Sequence, residues 1–246
     1  MKQNEMSLSA QQSGWQHYPA DLWDQRKPIN WLHDWEFWKW CADTYADDKR
    51  VLELACGNGR ITRQLALSGY SIVAVDLNPH FLNRAVEHLP TSVKDNVCFI
   101  LQDVVNLDVE GQFSLAIMTD WAFPALLTQI DQLAFLERLA HHLCIGGIFA
   151  FNMPFPSIRQ LGLTQAKGRG QLKWADDGHC FNALTQIEEK QSGSQSIQLR
   201  HTSLFEIQLL GRLTGFELIA QFGGTDRRPL RGLPDDDLTL ILRKFR

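Results

Sequence analysis

The stretch VLELACGNGRITRQLALSGYSIVAVDLNPHFLNRAVEHL, residues 51–89, decides the fold. A short apolar run ending at Glu53 leads into a loop that contains Gly57 and Gly59, and a helical pattern follows. A second apolar run ends at Asp76. Glycines in such a loop let a ligand approach the backbone, and an acidic residue after the second strand is placed to accept hydrogen bonds from ribose hydroxyls. The stretch therefore predicts a strand, loop, helix and strand that together bind a nucleoside-containing cofactor.

The alternation of apolar runs and helical periods continues to about residue 154. The runs at 51–55, 71–76, 97–103, 113–119 and 148–153 are expected as strands, and those at 60–68, 79–89 and 131–143 as helices. Apolar runs without polar alternation are typical of parallel strands covered by helices on both faces. We expect an α/β fold with a Rossmann-like, doubly wound, seven-stranded sheet as the core over residues 49–154.

Three further segments flank this core. Residues 1–48 are rich in tryptophan, and Trp31, Trp35 and Trp38 in the stretch NWLHDWEFWKWCADTY, residues 30–45, recur at a helical spacing. This N-terminal aromatic cap either docks on the core or forms a helical lid over a ligand cleft. Residues 155–204 alternate and contain a polar turn at 190–195, which predicts an antiparallel β insertion after strand five. Residues 205–246 are expected to form a helix and two strands that complete the sheet.

Composition excludes several classes of protein. The chain has 246 residues and a formal net charge of −4, so it lacks the broad positive field that nucleic acids and anionic membranes require. Its five cysteines have no metal-ligand spacing, and the N-terminus has no apolar signal core. We expect a cytoplasmic monomer or homodimer with reduced thiols, no bound metal and no membrane or nucleic-acid partner.

The glycine-rich loop discriminates between two classes of cofactor enzyme. Nicotinamide and flavin enzymes carry a third glycine where this chain has Thr62. The octapeptide ELACGNGR, residues 53–60, instead resembles the first motif of the class I S-adenosylmethionine-dependent methyltransferases, with Ala55 in place of a glycine. DLNP at 76–79, QDV at 102–104 and LCIGGIF at 143–149 are similar to later motifs of that family.

This resemblance covers residues 45–154 well. It extends more loosely to LTGFELIAQFGGTDRRPL, residues 213–230, which is similar to the small-molecule branch of the family that includes the methyltransferase domain 25 proteins. The resemblance implies that Glu53 and the loop backbone meet the methionine part of S-adenosyl-L-methionine, and that Asp76 meets the ribose. It places Leu77 against one face of the adenine and Asp103 with Val104 at the adenine edge. The full implied cofactor set is Tyr18, Trp23, Glu53, Ala55, Gly57, Gly59, Arg60, Asp76, Leu77, Asp103, Val104 and Met118.

Transfer of a methyl group from a sulfonium is an in-line displacement, so proximity and orientation are expected to supply most of the acceleration. A general base is needed only for a protonated or hydroxyl acceptor, and the candidates are Asp120, His179 and Asp226. The loops after the strands are expected to line the acceptor pocket. Its candidate residues are Trp121, Phe123, Asn152, Phe155 and Trp174.

The sequence thus predicts an enzyme that moves a methyl group from S-adenosyl-L-methionine to a nitrogen or oxygen of a small molecule. Two alternatives stay open. One is a module that binds the cofactor without turnover, and the other is a Rossmann-type oxidoreductase.

Overall fold

The computed structural model describes residues 6–155, 164–166, 171–174, 180–182, 184–192, 195–232 and 236–246. The main sheet has seven strands in the order β11-β12-β5-β4-β1-β2-β3. These strands are β1 (Arg50–Leu54), β2 (Ser71–Asp76), β3 (Val97–Leu101), β4 (Phe113–Met118), β5 (Leu143–Pro154), β11 (Phe216–Phe222) and β12 (Asp237–Lys244). Strands β1 to β5 are parallel, whereas β12 pairs antiparallel with both β5 and β11. The predicted seven-stranded core is confirmed.

Seven helices belong to the described residues. They are α1 (Leu8–Gln12), α2 (Ala20–Arg26), α3 (Trp35–Tyr45), α4 (Arg60–Leu67), α5 (Pro79–His88), α6 (Gln129–His142) and α7 (Leu204–Thr214). Short 3-10 turns occur at Trp15–His17, Thr91–Asn96, Val104–Asn106 and Phe123–Ala125. In this part of the chain, no helix is both long enough and apolar enough to cross a bilayer.

Two hydrophobic clusters cover the two faces of the sheet. Along β1, Leu52 and Leu54 join the cluster that contains Phe135 of α6, whereas Val51 joins the cluster that contains Trp38 of α3. Successive residues of a strand point to opposite faces, so this split shows that helices bury both sides. The apolar runs lack polar alternation for that reason, and the doubly wound arrangement is confirmed.

The aromatic helix of the N-terminal segment starts later than its spacing predicts. The pattern predicts a helix over 30–45, but α3 begins at Trp35. The side chain of Asp34 and the carbonyl of Trp31 both bind the Arg60 guanidinium. These long-range bonds hold 31–34 in a non-helical path, and the helix forms only beyond them.

The predicted antiparallel β insertion after β5 is confirmed, and it forms a second sheet. Its five antiparallel strands run in the order β10-β9-β8-β7-β6. They are β6 (Thr164–Ala166), β7 (Gln171–Trp174), β8 (Cys180–Asn182), β9 (Ile187–Ser192) and β10 (Gln195–Arg200). The expected turn at 190–195 is the connection between β9 and β10.

Candidate functional site

The loop between β1 and α4 has a tightly wound backbone. Ala55, Gly57 and Gly59 all have positive φ angles, of 54°, 57° and 78°. Gly59 is the N-cap of α4, and a Cβ placed there would lie 2.8 Å from the Cβ of Ala85. Only glycine fits that position, because both the φ angle and the neighbouring helix exclude a side chain.

Asp76, the last residue of β2, fastens this loop. Its Oδ2 accepts the Gly57 N–H at 2.8 Å, and its Oδ1 accepts the Asn78 N–H at 2.8 Å. Burial raises the pKa of Asp76 to about 6, against the lowering effect of the N–H groups of Asn78, Gly57 and Leu77. Each carboxylate oxygen has a second lone pair, so Asp76 retains acceptor capacity toward the adjoining cavity.

Glu53 lies behind the loop and is fully buried. Its Oε2 accepts a hydrogen bond of 2.6 Å from the Thr62 hydroxyl, whereas its Oε1 has no hydrogen-bond partner. Burial raises the pKa of this carboxyl to about 8, and the Thr62 bond and the Arg60 charge oppose that rise. An unpaired buried oxygen of this kind is costly unless a ligand satisfies it.

A cavity lies against the loop and the carboxyl ends of the strands; we call it the first cavity. It brings together eight of the twelve residues in the cofactor set: Trp23, Ala55, Gly57, Asp76, Leu77, Asp103, Val104 and Met118. Its walls are mostly apolar. On the N-terminal side it is closed by α1 and the following turn, through Ser9, Ala10, Ser13 and Trp15. The N-terminal segment therefore contacts the cavity that the sequence assigns to the cofactor.

Tyr18 lies behind the wall of this cavity. It is fully buried, with ring centroids 5.1 Å from Trp15 and 6.3 Å from Phe81. Its carbonyl accepts a hydrogen bond of 2.8 Å from the Asn78 side chain. The Tyr18 ring lies 6.4 Å from the Trp23 ring and so supports it. Trp23 itself lines the first cavity.

Arg60 is the centre of a buried ion network. Its guanidinium donates to both oxygens of Asp34, to Asp120 Oδ2 at 2.8 Å and to the Trp31 carbonyl at 2.9 Å. Lys27 pairs with Asp120 Oδ1 at 2.9 Å, and its ammonium lies 3.5 Å from the centre of the Trp31 ring. The network ties the N-terminal segment to the first turn of α4, beside the glycine-rich loop.

A second cavity, of about 640 Å³, adjoins the first and shares four lining residues with it: Trp15, Trp23, Asp120 and Trp121. Asp120 and Trp121 follow β4 with left-handed φ angles of 54° and 60°. Asn152 of β5 and Asp237 of β12 also line this second cavity. Two predicted acceptor residues, Trp121 and Asn152, therefore meet at one cavity beside the cofactor residues.

The other predicted acceptor residues have different surroundings. Phe123 is fully buried in the core, with its ring 5.1 Å from that of Phe151, because the 3-10 turn after β4 points it under the sheet. Phe155 packs against the same core cluster. Trp174 belongs to β7, but its side chain lies outside the described residues.

The three candidate bases are not equivalent. Both oxygens of Asp120 already accept from cations, which gives this residue an anchoring position in the ion network. The side chain of Asp226 is 62% exposed and pairs with Arg228 at 3.0 Å. His179 lies outside the described residues.

Sequence reasoning missed Asp237. Trp121 Nε1 donates to its Oδ1 at 2.6 Å, and Asn152 Nδ2 donates to its Oδ2 at 3.0 Å. Burial raises the pKa of Asp237, while these two bonds and the charges of Arg228 and Lys27 lower it. No motif marks this residue, because 85 positions separate it from Asn152 and 116 from Trp121. The only available signal was its place just before an apolar run.

Comparison with known proteins gives consistent results. Residues 51–147 match the family model described as a methyltransferase domain. A putative methyltransferase of Bacillus subtilis, YqeM, is 26% identical over 138 residues, which are 56% of this chain and 49% of that protein. The chain thus spans about half the length of that curated relative.

Solved structures share the fold over nearly the whole chain. The CcbJ methyltransferase from Streptomyces caelestis has a TM-score of 0.70 at 20% identity, over 88% of this chain and 96% of that one. An S-adenosylmethionine-dependent methyltransferase from Clostridium acetobutylicum has a TM-score of 0.68 at 16% identity, over 92% and 98%. The glycine-rich loop and the strands up to the start of β5 fall within residues 51–147, the segment that is similar to a methyltransferase domain.

Proposed function

We propose that this chain is an S-adenosyl-L-methionine-dependent methyltransferase that transfers a methyl group to a nitrogen or oxygen of a small molecule. The observation that carries the proposal is Asp76, which fastens the glycine-rich loop and also lines the first cavity. A carboxylate in this position after the second strand is suited to a ribose diol. The methyltransferase-domain match supports the choice of cofactor class.

The residues present fit this cofactor. The unpaired Oε1 of Glu53 offers a buried acceptor beside the loop for a cationic donor such as an amino group. Leu77, Val104 and Met118 provide an apolar wall for an adenine ring. The cofactor supplies an electrophilic methyl group on a sulfonium, whereas the chain binds, orients and excludes water.

The second cavity supports a separate place for the acceptor. It meets the first cavity at Trp15, Trp23, Asp120 and Trp121. An acceptor held there lies beside the cofactor residues, which is the arrangement that a displacement in line with the departing sulfur needs. A volume of about 640 Å³ suits a small molecule, and the net charge of −4 argues against a nucleic-acid substrate.

Calorimetric titration tests the proposal. We expect S-adenosyl-L-methionine and its demethylated product to bind with 1:1 stoichiometry. Asp76→Ala is expected to weaken that binding by about 1.5–3 kcal/mol, because hydrogen bonds to a charged group are lost. Asp108→Ala, at an exposed carboxylate, is the matched control and should leave affinity unchanged.

Three results would point elsewhere. No heat with either ligand on folded wild-type protein would contradict the proposal. Tighter binding of a nicotinamide or flavin in a thermal-shift panel would favour an oxidoreductase. Cofactor binding without turnover, together with a cofactor-bound crystal structure that has no room beside the methyl group, would favour a non-catalytic module.

A further inference from the structure

Three polar side chains from separate parts of the fold meet in the second cavity. Trp121 follows β4, Asn152 lies in β5, and Asp237 begins β12. Trp121 and Asn152 each donate one hydrogen bond to Asp237, one to each carboxylate oxygen. We call this group the Asp237 triad.

Asn152 leaves one acceptor unsatisfied. The residue is 6% exposed, and its Oδ1 is buried without a hydrogen-bond partner. The orientation of the amide is fixed by chemistry, because the opposite orientation would set Oδ1 against a carboxylate oxygen. A buried carbonyl oxygen without a donor is destabilising, so a donor on a ligand would be stabilising here.

Asp237 differs from the other carboxylates of the second cavity in its ion pairing, although the charges of Arg228 and Lys27 reach it. Asp34 and Asp120 are paired with Arg60, and Asp120 also with Lys27. In contrast, no ion pair with Asp237 occurs among the described residues. In the part of the chain that the structure describes, its two oxygens accept from an indole and an amide, both neutral. Among these residues, Asp237 is therefore a partly buried carboxylate of the second cavity without a cation at ion-pair distance.

Aromatic surface accompanies this carboxylate. The indole of Trp121 is 41% exposed, although its N–H is bound to Asp237, and the rings of Trp15 and Trp23 line the same cavity. Indole faces attract cations and also cover apolar groups. A ligand that carries an N–H donor, a positive charge and an apolar body satisfies all of these surfaces at once.

We propose that the Asp237 triad binds the amino group of the methyl acceptor, so that the substrate class is a primary or secondary amine and the reaction is N-methylation. This inference rests on the proposed function. An alcohol or a carboxylate acceptor would interact less favourably with Asp237. An alcohol carries no positive charge, and a carboxylate carries the same negative charge as Asp237.

The triad also provides a route for the proton. Asp237 takes one proton from the bound ammonium, which leaves a neutral amine with a free lone pair. That lone pair forms the N–C bond while the C–S bond of the methyl donor breaks and its electron pair stays on sulfur. The raised pKa of Asp237, which burial causes and which Lys27 and Arg228 limit, suits a group that accepts this proton.

Binding of a defined probe tests the inference without turnover. Phenethylamine and 2-phenylethanol, which differ in one polar group, are titrated calorimetrically into the full chain with S-adenosylhomocysteine present. We expect the amine to bind at least about tenfold more tightly than the alcohol. Asp237→Asn should abolish this preference, and Asp108→Asn, at an exposed carboxylate outside both cavities, should preserve it.

A second variant guards against misfolding. Asp237→Ser removes the charge but keeps an acceptor for Trp121 and Asn152, and it should also lose the preference. Equal affinity of the wild type for both probes, no amine binding at millimolar concentration, or a preference that survives in both variants would overturn the inference. Failure of S-adenosyl-L-methionine to bind the wild type would overturn the proposed function, whereas normal cofactor binding without amine preference would overturn the inference alone.

Discussion

Replacement of Arg60 should destabilise the protein far more than loss of a surface ion pair. Its guanidinium, 3% exposed, bonds to both oxygens of Asp34, whose side chain is 6% exposed. Arg60→Met keeps the aliphatic stem but leaves Asp34 as a buried carboxylate whose one remaining side-chain donor, among the described residues, is the Trp38 indole. Removal of one partner of a buried pair costs about 3–5 kcal/mol, because the remaining charge is uncompensated.

Arg84 offers a matched control, because it also joins the N-terminal segment to a core helix. Its side chain is 31% exposed and pairs with Asp21, which is 79% exposed. Such a pair contributes about 0–1 kcal/mol, so Arg84→Met should have little effect. Urea denaturation of both variants measures the difference in the free energy of unfolding. Equal losses in the two variants would refute the reasoning, as would an Arg60→Met protein as stable as the wild type.

Three other variants test the site and the core. The pKa of Glu53 is about 8 in the folded chain and near 4.5 in the unfolded one, so its contribution to stability is present below pH 4.5 and lost as the pH rises through 8. Glu53→Gln should reduce this loss in urea titrations at pH 5 and pH 9, and an unchanged difference between those pH values would argue against the buried acid. Gly59→Ala should lower both thermal stability and cofactor affinity, because its Cβ would press on Ala85; wild-type values for both would show that the loop tolerates a side chain. Phe123→Ala should lower the free energy of unfolding, measured by denaturation, by about 3–5 kcal/mol, because it truncates a core side chain. A loss of acceptor binding without a loss of stability would instead assign Phe123 to the acceptor pocket.

Local patterns predicted the main sheet because its signals are local. The run at 71–76 is a strand with those bounds, since its residues are apolar on both faces. The helix expected at 79–89 starts at Pro79 because the side chain of Asn78 accepts a hydrogen bond from the His80 N–H, a standard N-cap. Where one short segment contains both the hydrophobic pattern and the hydrogen-bond partner, the element can be predicted from the sequence alone.

Interactions between distant segments could not be predicted in this way. The start of α3 was wrong because Arg60 holds the chain at Asp34, an interaction across 26 positions. Phe123 follows β4 just as Trp121 does, yet one side chain enters the core and the other lines a cavity. Asp120 and Trp121 both have left-handed φ angles, and they change the direction of the chain before Phe123. The residue types at these two positions did not indicate that conformation.

Residues of the predicted cofactor motifs also bind the N-terminal segment through hydrogen bonds. Asn78 donates from its side chain to the carbonyls of Trp15 and Tyr18, at 2.9 and 2.8 Å. Asp103 accepts the Ser7 N–H at 2.9 Å, although the resemblance to methyltransferases assigns this residue to the adenine. A ligand that needs Asp103 must therefore either share this carboxylate with the N-terminal segment or displace it. Asp103 therefore serves both the wall of the first cavity and the attachment of the N-terminal segment, so its replacement is expected to affect both.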